Sequence, residues 1–263
     1  MNDKPKTARE MWKEGPTAFF SWFWEYHKAV VGLTALGIGI LIWYLYTLLN
    51  VKPVAVSTVF MNGSEGMAEG TETALEEAFT ELSGMDRDHY ELTFDFDTRI
   101  GAGGNAADEL ESTSAQKLTA QVGAGELDLL VADASNFEFY AYHNMFRDLR
   151  ELYSESELEA MDTDIYYVDM AGVRKYVNDY DVAACPVCNL TPEEAIGAEK
   201  ITAYVSPDPS QMEEPVPVGI DLTGSDFLDG HSMYSGIEVI GGLCKNTDRT
   251  DQALQLLEFL YQK

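Results

Sequence analysis

Positive charge is what this 263-residue sequence has least of: 17 Lys and Arg stand against 45 Asp and Glu, a net charge of -28 and an isoelectric point near 4.2. Such a chain repels a phosphate backbone and lacks the attraction on which nucleic-acid binding rests, so nucleic acid is excluded as a partner. Histidine is scarce too, and His89, His143 and His231 share no metal-ligand spacing. Neither an H-E-x-x-H zinc motif nor a G-x-S-x-G nucleophile elbow occurs, so neither a metal, a cofactor nor hydrolase chemistry is expected. What is present is ample apolar material. With 46% hydrophobic and 24% charged residues the chain is neither collagen-like nor disordered, and it can bury a core.

That apolar material is unevenly placed. Residues 30–49 (VVGLTALGIGILIWYLYTLL) carry no charge, enough to cross ~30 Å of hydrocarbon at ~1.5 Å per residue. A cleaved signal peptide would have a shorter apolar region after a short basic start. Here 28 residues precede the span, no small-x-small site follows it, and no cysteine lies just beyond it to take a lipid. An uncleaved single-pass anchor is the expectation. Lys4, Lys6, Arg9, Lys13 and Lys28 precede the span, whereas only Lys52 follows closely, so the positive-inside rule puts the N-terminus in the cytoplasm. Trp22, Trp24 and Tyr26 before the span and Trp43, Tyr44 and Tyr46 near its end suit aromatic belts at the two interfaces. Residues 17–28 are expected to lie partly along the inner surface as an amphipathic lead-in. Gly32, Gly37 and Gly39 form no G-x-x-x-G seam, so no span-driven dimer is expected. The organisation is then a cytoplasmic and juxtamembrane segment, 1–28, a transmembrane helix, 29–50, and an extracellular domain, 53–263.

In that domain strand-like and helix-like segments alternate, which predicts an α/β fold with a parallel sheet and helices on its faces. Strands are expected over 54–61, 90–96 and 127–132. Helices are expected over 71–82, where Leu75, Ala78, Phe79 and Leu82 form one stripe, over 108–122, and over 136–145. Residues 165–168 and 173–177 flank a four-residue turn and suggest a hairpin. Residues 180–187 and 201–205 read as extended, and Pro207, Pro209, Pro215 and Pro217 mark an irregular, edge-like connection. A strand over 236–243 and a helix opening at Thr247 close the chain.

Residues 116–149 (QKLTAQVGAGELDLLVADASNFEFYAYHNMFRDL) resemble a segment of extracellular solute-binding proteins of the type 2 periplasmic-binding class: a helix ends in a glycine turn, Asp opens a strand, and an aromatic helix leads to a Phe-x-Asp-Leu step. Residues 236–261 are similar to the tail of the same family, with a strand, a polar break at Lys245 and Asn246, and a helix of the Ala-Leu-x-Leu-Leu-x-Phe-Leu kind. The resemblance implies a periplasmic-binding-protein-like fold with a reduced second lobe, because the outer segment is short for two full lobes, anchored by a helix rather than a lipid. It also implies a small-molecule solute and a transporter as partners.

In open α/β sheets ligands sit beyond the carboxyl ends of the strands. Those ends are Asn62 and Ser64 after the first strand, Asp97 and Thr98 after the second, and Asp133, Ser135 and Asn136 after the third. The candidate ligand-binding set is therefore Asn62, Ser64, Asp133, Ser135, Asn136 and Tyr140, with Tyr140 or Tyr142 covering a solute and Asp133 exposed. The acidic exterior favours a neutral or cationic solute. Each of these short polar residues also suits an ordinary turn.

Cys185-Pro-Val-Cys188 has the spacing of a thiol-disulfide exchange motif. Three fates stay open for Cys185, Cys188 and Cys244: buried structural thiols, a disulfide between two of them, or redox or metal chemistry. The run before Cys185 reads as strand and no helix start follows, which disfavours the redox reading. Gly101-Ala-Gly103-Gly104-Asn-Ala106 is only superficially a dinucleotide loop and reads as a flexible connection. The expectation is a membrane-anchored binding protein that is not an enzyme. An envelope interaction or sensor module and a thiol-disulfide oxidoreductase are the alternatives.

Overall fold

The computed structural model describes residues 7–188, 190 and 207–263. The extended segment expected over 201–205 lies outside them. Two compact units divide the chain, one ending at Lys52 and one beginning at Pro53.

In the first unit a short helix α1 (Ala8–Lys13) ends before Gly15, whose φ of 111° suits only glycine, and Pro16 then opens α2 (Pro16–Leu49). Residues His27–Leu49 of α2 are long and apolar enough to cross a membrane, with a mean hydropathy of 2.0, and none of that stretch is buried within the structure. The lead-in is not a separate helix. It is continuous with the span, because no proline or glycine interrupts the ladder between Pro16 and Gly32.

The second unit is α/β, built on one six-stranded sheet of order β2-β1-β3-β6-β5-β4. Its strands are β1 (Val54–Phe60), β2 (Glu91–Asp95), β3 (Leu129–Asp133), β4 (Ile165–Asp169), β5 (Pro215–Asp221) and β6 (Val239–Leu243). Strand β1 pairs in parallel with β2 and β3, but β3–β6, β6–β5 and β5–β4 are all antiparallel. The expected parallel sheet is therefore corrected to a mixed one. Between β5 and β6 the chain forms only the five-residue helix α8 (Asp226–Gly230), too short to recross the sheet, so it re-enters at the end it left.

Helices cover both faces. On one, Leu75 and Phe79 of α3 (Thr71–Ser83) and Leu256, Leu257 and Leu260 of α9 (Thr250–Leu260) pack with Val56, Phe60, Leu129 and Val131. On the other, Leu118 of α4 (Glu109–Ala124), Phe137 of α5 (Ala134–Tyr142) and Val173 of α7 (Met170–Asp179) pack with Val59, Leu130, Ala132 and Val168. Residues 129 to 132 of β3 thus alternate between the two cores, as the two-residue period of a strand requires. Another short helix, α6 (Glu155–Ala160), precedes β4. Helix α3 keeps the predicted stripe except at Leu82, which is half exposed.

The middle of the chain departs most from expectation. The hairpin over 165–177 does not form: β4 runs straight into α7, because the Asp169 carboxylate caps the helix by accepting from the Ala171 N–H (3.0 Å). Residues 182–184 are a 3-10 turn rather than a strand. Pro215 and Pro217 lie inside β5, an interior strand, yet they fall in the part that pairs with β4 alone, while only Ile220 and Asp221 pair with β6. Their missing N–H groups therefore cost no ladder bond to β6. Helix α9 begins three residues later than expected, because Thr247 is drawn inward to a buried carboxylate, Asp128.

Candidate functional site

Parallel pairing of β1 with β3, with Phe60 opposite Val131, sets the carboxyl ends of these strands side by side. Asn62 leaves β1 in the left-handed region (φ 59°), and Asp133 ends β3 and caps α5 by accepting from the Asn136 N–H (3.1 Å). The Asn62 side-chain amide donates to Asp133 Oδ2 (3.0 Å) and to the Ile100 carbonyl (2.8 Å), and its oxygen accepts from the Ile100 N–H (3.1 Å). Asn136 donates to the same two acceptors, Asp133 Oδ2 (2.8 Å) and the Ile100 carbonyl (3.1 Å), and accepts from the Gly104 N–H (3.0 Å). The loop after β2 is thus stitched to both strand ends by two asparagines whose polar atoms are all engaged.

Beside this network opens a cleft of about 170 Å³. Asn62, Ser64 and Asp133 line it from the strand ends, Arg99 and Ile100 from the loop after β2, Glu111 from α4, and Tyr234 and Ile237 from the segment before β6. The Tyr234 hydroxyl reaches the Met61 (2.8 Å) and Val131 (3.1 Å) carbonyls, so this ring bridges β1 and β3 beneath the cleft. Gly63 permits that approach, since a Cβ there would meet the Tyr234 oxygen at 2.9 Å. Burial, reinforced by Asp133, holds the Tyr234 phenol well above its ordinary pKa, so it stays a neutral donor. An ionised carboxylate offers about four acceptor positions. Asp133 uses three of them on Asn62 and Asn136 and has no cation within ion-pair distance among the described residues. Its charge is answered by amides alone.

Of the six candidate residues, the cleft gathers Asn62, Ser64 and Asp133 and leaves out the other three. Asn136 is fully buried with its amide consumed, and the Ser135 hydroxyl is buried without a hydrogen-bond partner among the described residues. Tyr140 lies two turns further along α5 and lines a different cavity, and neither it nor Tyr142 covers the cleft. Asp133 itself is 9% exposed rather than open to solvent, because it sits under the asparagine network. After β2, Thr98 is buried and bonded to Asp95, whose carboxyl burial would raise; Lys117 at 2.6 Å and the Asp97 and Thr98 donors hold it below its ordinary value instead. Arg99 was missed. The signal for it was a lone cation at a strand end in a chain otherwise full of acids. Tyr234 had no such signal, because its segment reaches the site only through the fold.

Cys185 and Cys188 are disulfide-bonded, with Cα atoms 5.4 Å apart, and Cys244 is free and buried. Burial and the nearby Asp128 push the Cys244 thiol far up, away from reactivity. The pair follows the 3-10 turn over Val182–Ala184. The glycine loop is less free than expected, since it packs against Phe139 and Val187. Among the described residues no group of three or more His, Cys, Asp and Glu is placed to hold a metal.

No protein-family model and no curated protein matches this chain. Among solved structures it is similar to the periplasmic binding protein AttC of Agrobacterium tumefaciens C58 in its open unliganded conformation, at 13% identity and a TM-score of 0.34, over 81% of this chain and 80% of that one. Likeness at that level transfers no residue role.

Proposed function

We propose that residues 53–263 bind a small neutral or cationic solute in the cleft at the carboxyl ends of β1 and β3, held outside the cell by α2 as a single-pass anchor, with a membrane transporter as the partner that receives the solute. The observation that carries this reading is the buried Asp133 carboxylate, one acceptor position free among the described residues, opening into a cleft where those residues set Glu65 and Glu111 against a single cation, Arg99. That balance favours a positive or neutral guest over an anion. The Tyr234 and Ile237 walls suit an apolar portion of the ligand. The Ser64 hydroxyl accepts from Arg99 (3.3 Å), a contact that positions it for binding.

The test is a thermal-shift panel of small amines, amino acids and polyols on the purified full chain. A cationic or neutral compound should raise the melting temperature. Glu65→Lys, at an exposed residue, should weaken a cationic hit about tenfold, the weight of one charge-assisted contact, without moving the melting temperature of the free protein. An anion that binds best and whose binding changes in Glu65→Lys would sink the reading. The topology is tested separately, since protease added to intact cells should remove residues 53–263, and full protection would reverse the orientation.

A further inference from the structure

A second cavity, of about 540 Å³, lies on the opposite side of α5's length from the strand-end cleft, within the usual size range for small-molecule sites. Helix α4 supplies one wall through Ala115, Leu118 and Val122, which share a helix face by their three- and four-residue spacing. Phe139 and Tyr140 of α5 supply a second. The Phe139 ring is tilted against His143, with centroids 4.2 Å apart, and lies close to Gly104, where a Cβ would meet it at 2.4 Å. The result is a slot between an aliphatic wall and an aromatic one.

Thr119, His143, Asn144 and Asn246 add neutral polar groups to the lining, and two further groups, the Tyr140 hydroxyl and the Lys245 ammonium, can meet a charged ligand. Tyr140 is 7% exposed and its hydroxyl has no hydrogen-bond partner among the described residues. Burial raises its pKa, so the hydroxyl keeps its proton and remains a donor. Lys245 stands at the rim with one of its three donors on Asn144 Oδ1. Among the described residues no Asp or Glu lines this cavity, although the chain has 45 of them and the strand-end cleft has three. Asp148, whose carboxyl feels Lys245, is itself paired with Arg150 at 2.6 Å. A protonated phenol and an ammonium on a wall with no carboxylate among the described residues select for an anionic acceptor, and the space between α4 and Phe139 selects for a flat apolar body.

We infer that this cavity is a second binding site, for a small planar carboxylate whose ring lies between α4 and Phe139 and whose carboxylate meets Lys245 and the Tyr140 hydroxyl. It does not depend on the strand-end site, whose charge balance selects the opposite class of ligand.

The experiment uses the full chain in lipid nanodiscs, labelled at the methionine methyls, with Met145 in the cavity wall assigned by Met145→Leu. Titration with 2-naphthoate should shift the Met145 signal saturably, and about tenfold more tightly than titration with neutral 2-naphthamide, as one charge-assisted contact requires. Lys245→Gln should remove the preference for the carboxylate, and Thr119→Trp, at an exposed position on the rim, should abolish binding. Should Thr119→Trp unfold the protein, seen as collapse of the other methyl signals, Lys245→Gln alone decides. Glu65→Lys should leave naphthoate binding unchanged, which separates failure of this site from failure of the strand-end cleft. The absence of a saturable shift at Met145, equal affinity for acid and amide, or an unchanged preference in Lys245→Gln would each overturn the inference.

Discussion

The two ends of β3 carry carboxylates of the same kind in opposite settings. Asp128, just before the strand, has no exposed surface; it accepts from the Ser57 N–H (2.7 Å), the Arg249 guanidinium (2.8 Å) and the Thr247 hydroxyl. Asp133, at the other end, is nearly as buried but is answered only by neutral amides and opens into a cleft. A buried charge closed by a cation and two further donors is a structural knot. A buried charge answered by amides keeps a net field and a free acceptor position, which is what a ligand can use. Burial alone does not tell structure from function; the sign of the partners does.

The largest effect should come from breaking the knot. Arg249→Met leaves Asp128 charged and without its cation, which should cost ~3–5 kcal/mol in denaturant unfolding. The double variant Asp128→Asn with Arg249→Met should lose less than the two single variants combined, because the stranded charge is gone. Additive losses would mean that the pair is not coupled.

At the other end Asn62→Ala removes the clamp on Ile100 and places a non-glycine residue without a local polar side chain at φ 59°, for a loss of about 1–3 kcal/mol. Asp133→Ala removes the α5 cap together with the acceptor for both asparagines, so it should lower the melting temperature as well as any solute affinity. A melting temperature unchanged in Asp133→Ala would mean that the asparagine network does not hold the strand ends, and the contrast between the two ends would weaken.

The smallest effect is a pH dependence confined to the Asp128 end, toward which α5 runs. His143 donates from Nδ1 to the Phe139 carbonyl (2.8 Å), which leaves Nε2 to accept from the Tyr176 hydroxyl (3.0 Å). Burial holds its pKa below the ordinary 6.5, with the Phe139 bond pulling back only in part. The fold therefore prefers the neutral ring. Its contribution is intact above the unfolded value and is lost as the pH falls from there toward the lower folded value. Unfolding titrations at pH 7.5 and about pH 5.5 should differ more for the parent protein than for His143→Gln, and equal slopes would assign the acid sensitivity elsewhere.

Much of this was legible in the chain because it is local. The stripe of Leu75 and Phe79 wrote α3, the twenty uncharged residues before Asn50 wrote the long apolar helix, and the short polar residues after β1 and β3 marked the strand ends. The failures are equally specific. Val173 to Val177 looked like a strand because valine and tyrosine favour strands, and the Asp169 cap was overlooked. Tyr140 was assigned to the cleft on its nearness in sequence to Asp133, although α5 carries it two turns away.

The sequence by itself determined the acidic charge, the apolar N-terminal helix, the alternation of strands with helices and the polar strand ends at Asn62 and at Asp133, since periodicity, charge and turn chemistry act over a few residues. Tertiary structure alone decided that β6 enters antiparallel between β3 and β5, that Arg249 closes on Asp128, and that Arg99 and Tyr234 join Asp133 at the cleft. Those contacts join residues far apart in the chain, and which of many distant partners meet depends on the packing of the whole core, a choice no local pattern encodes.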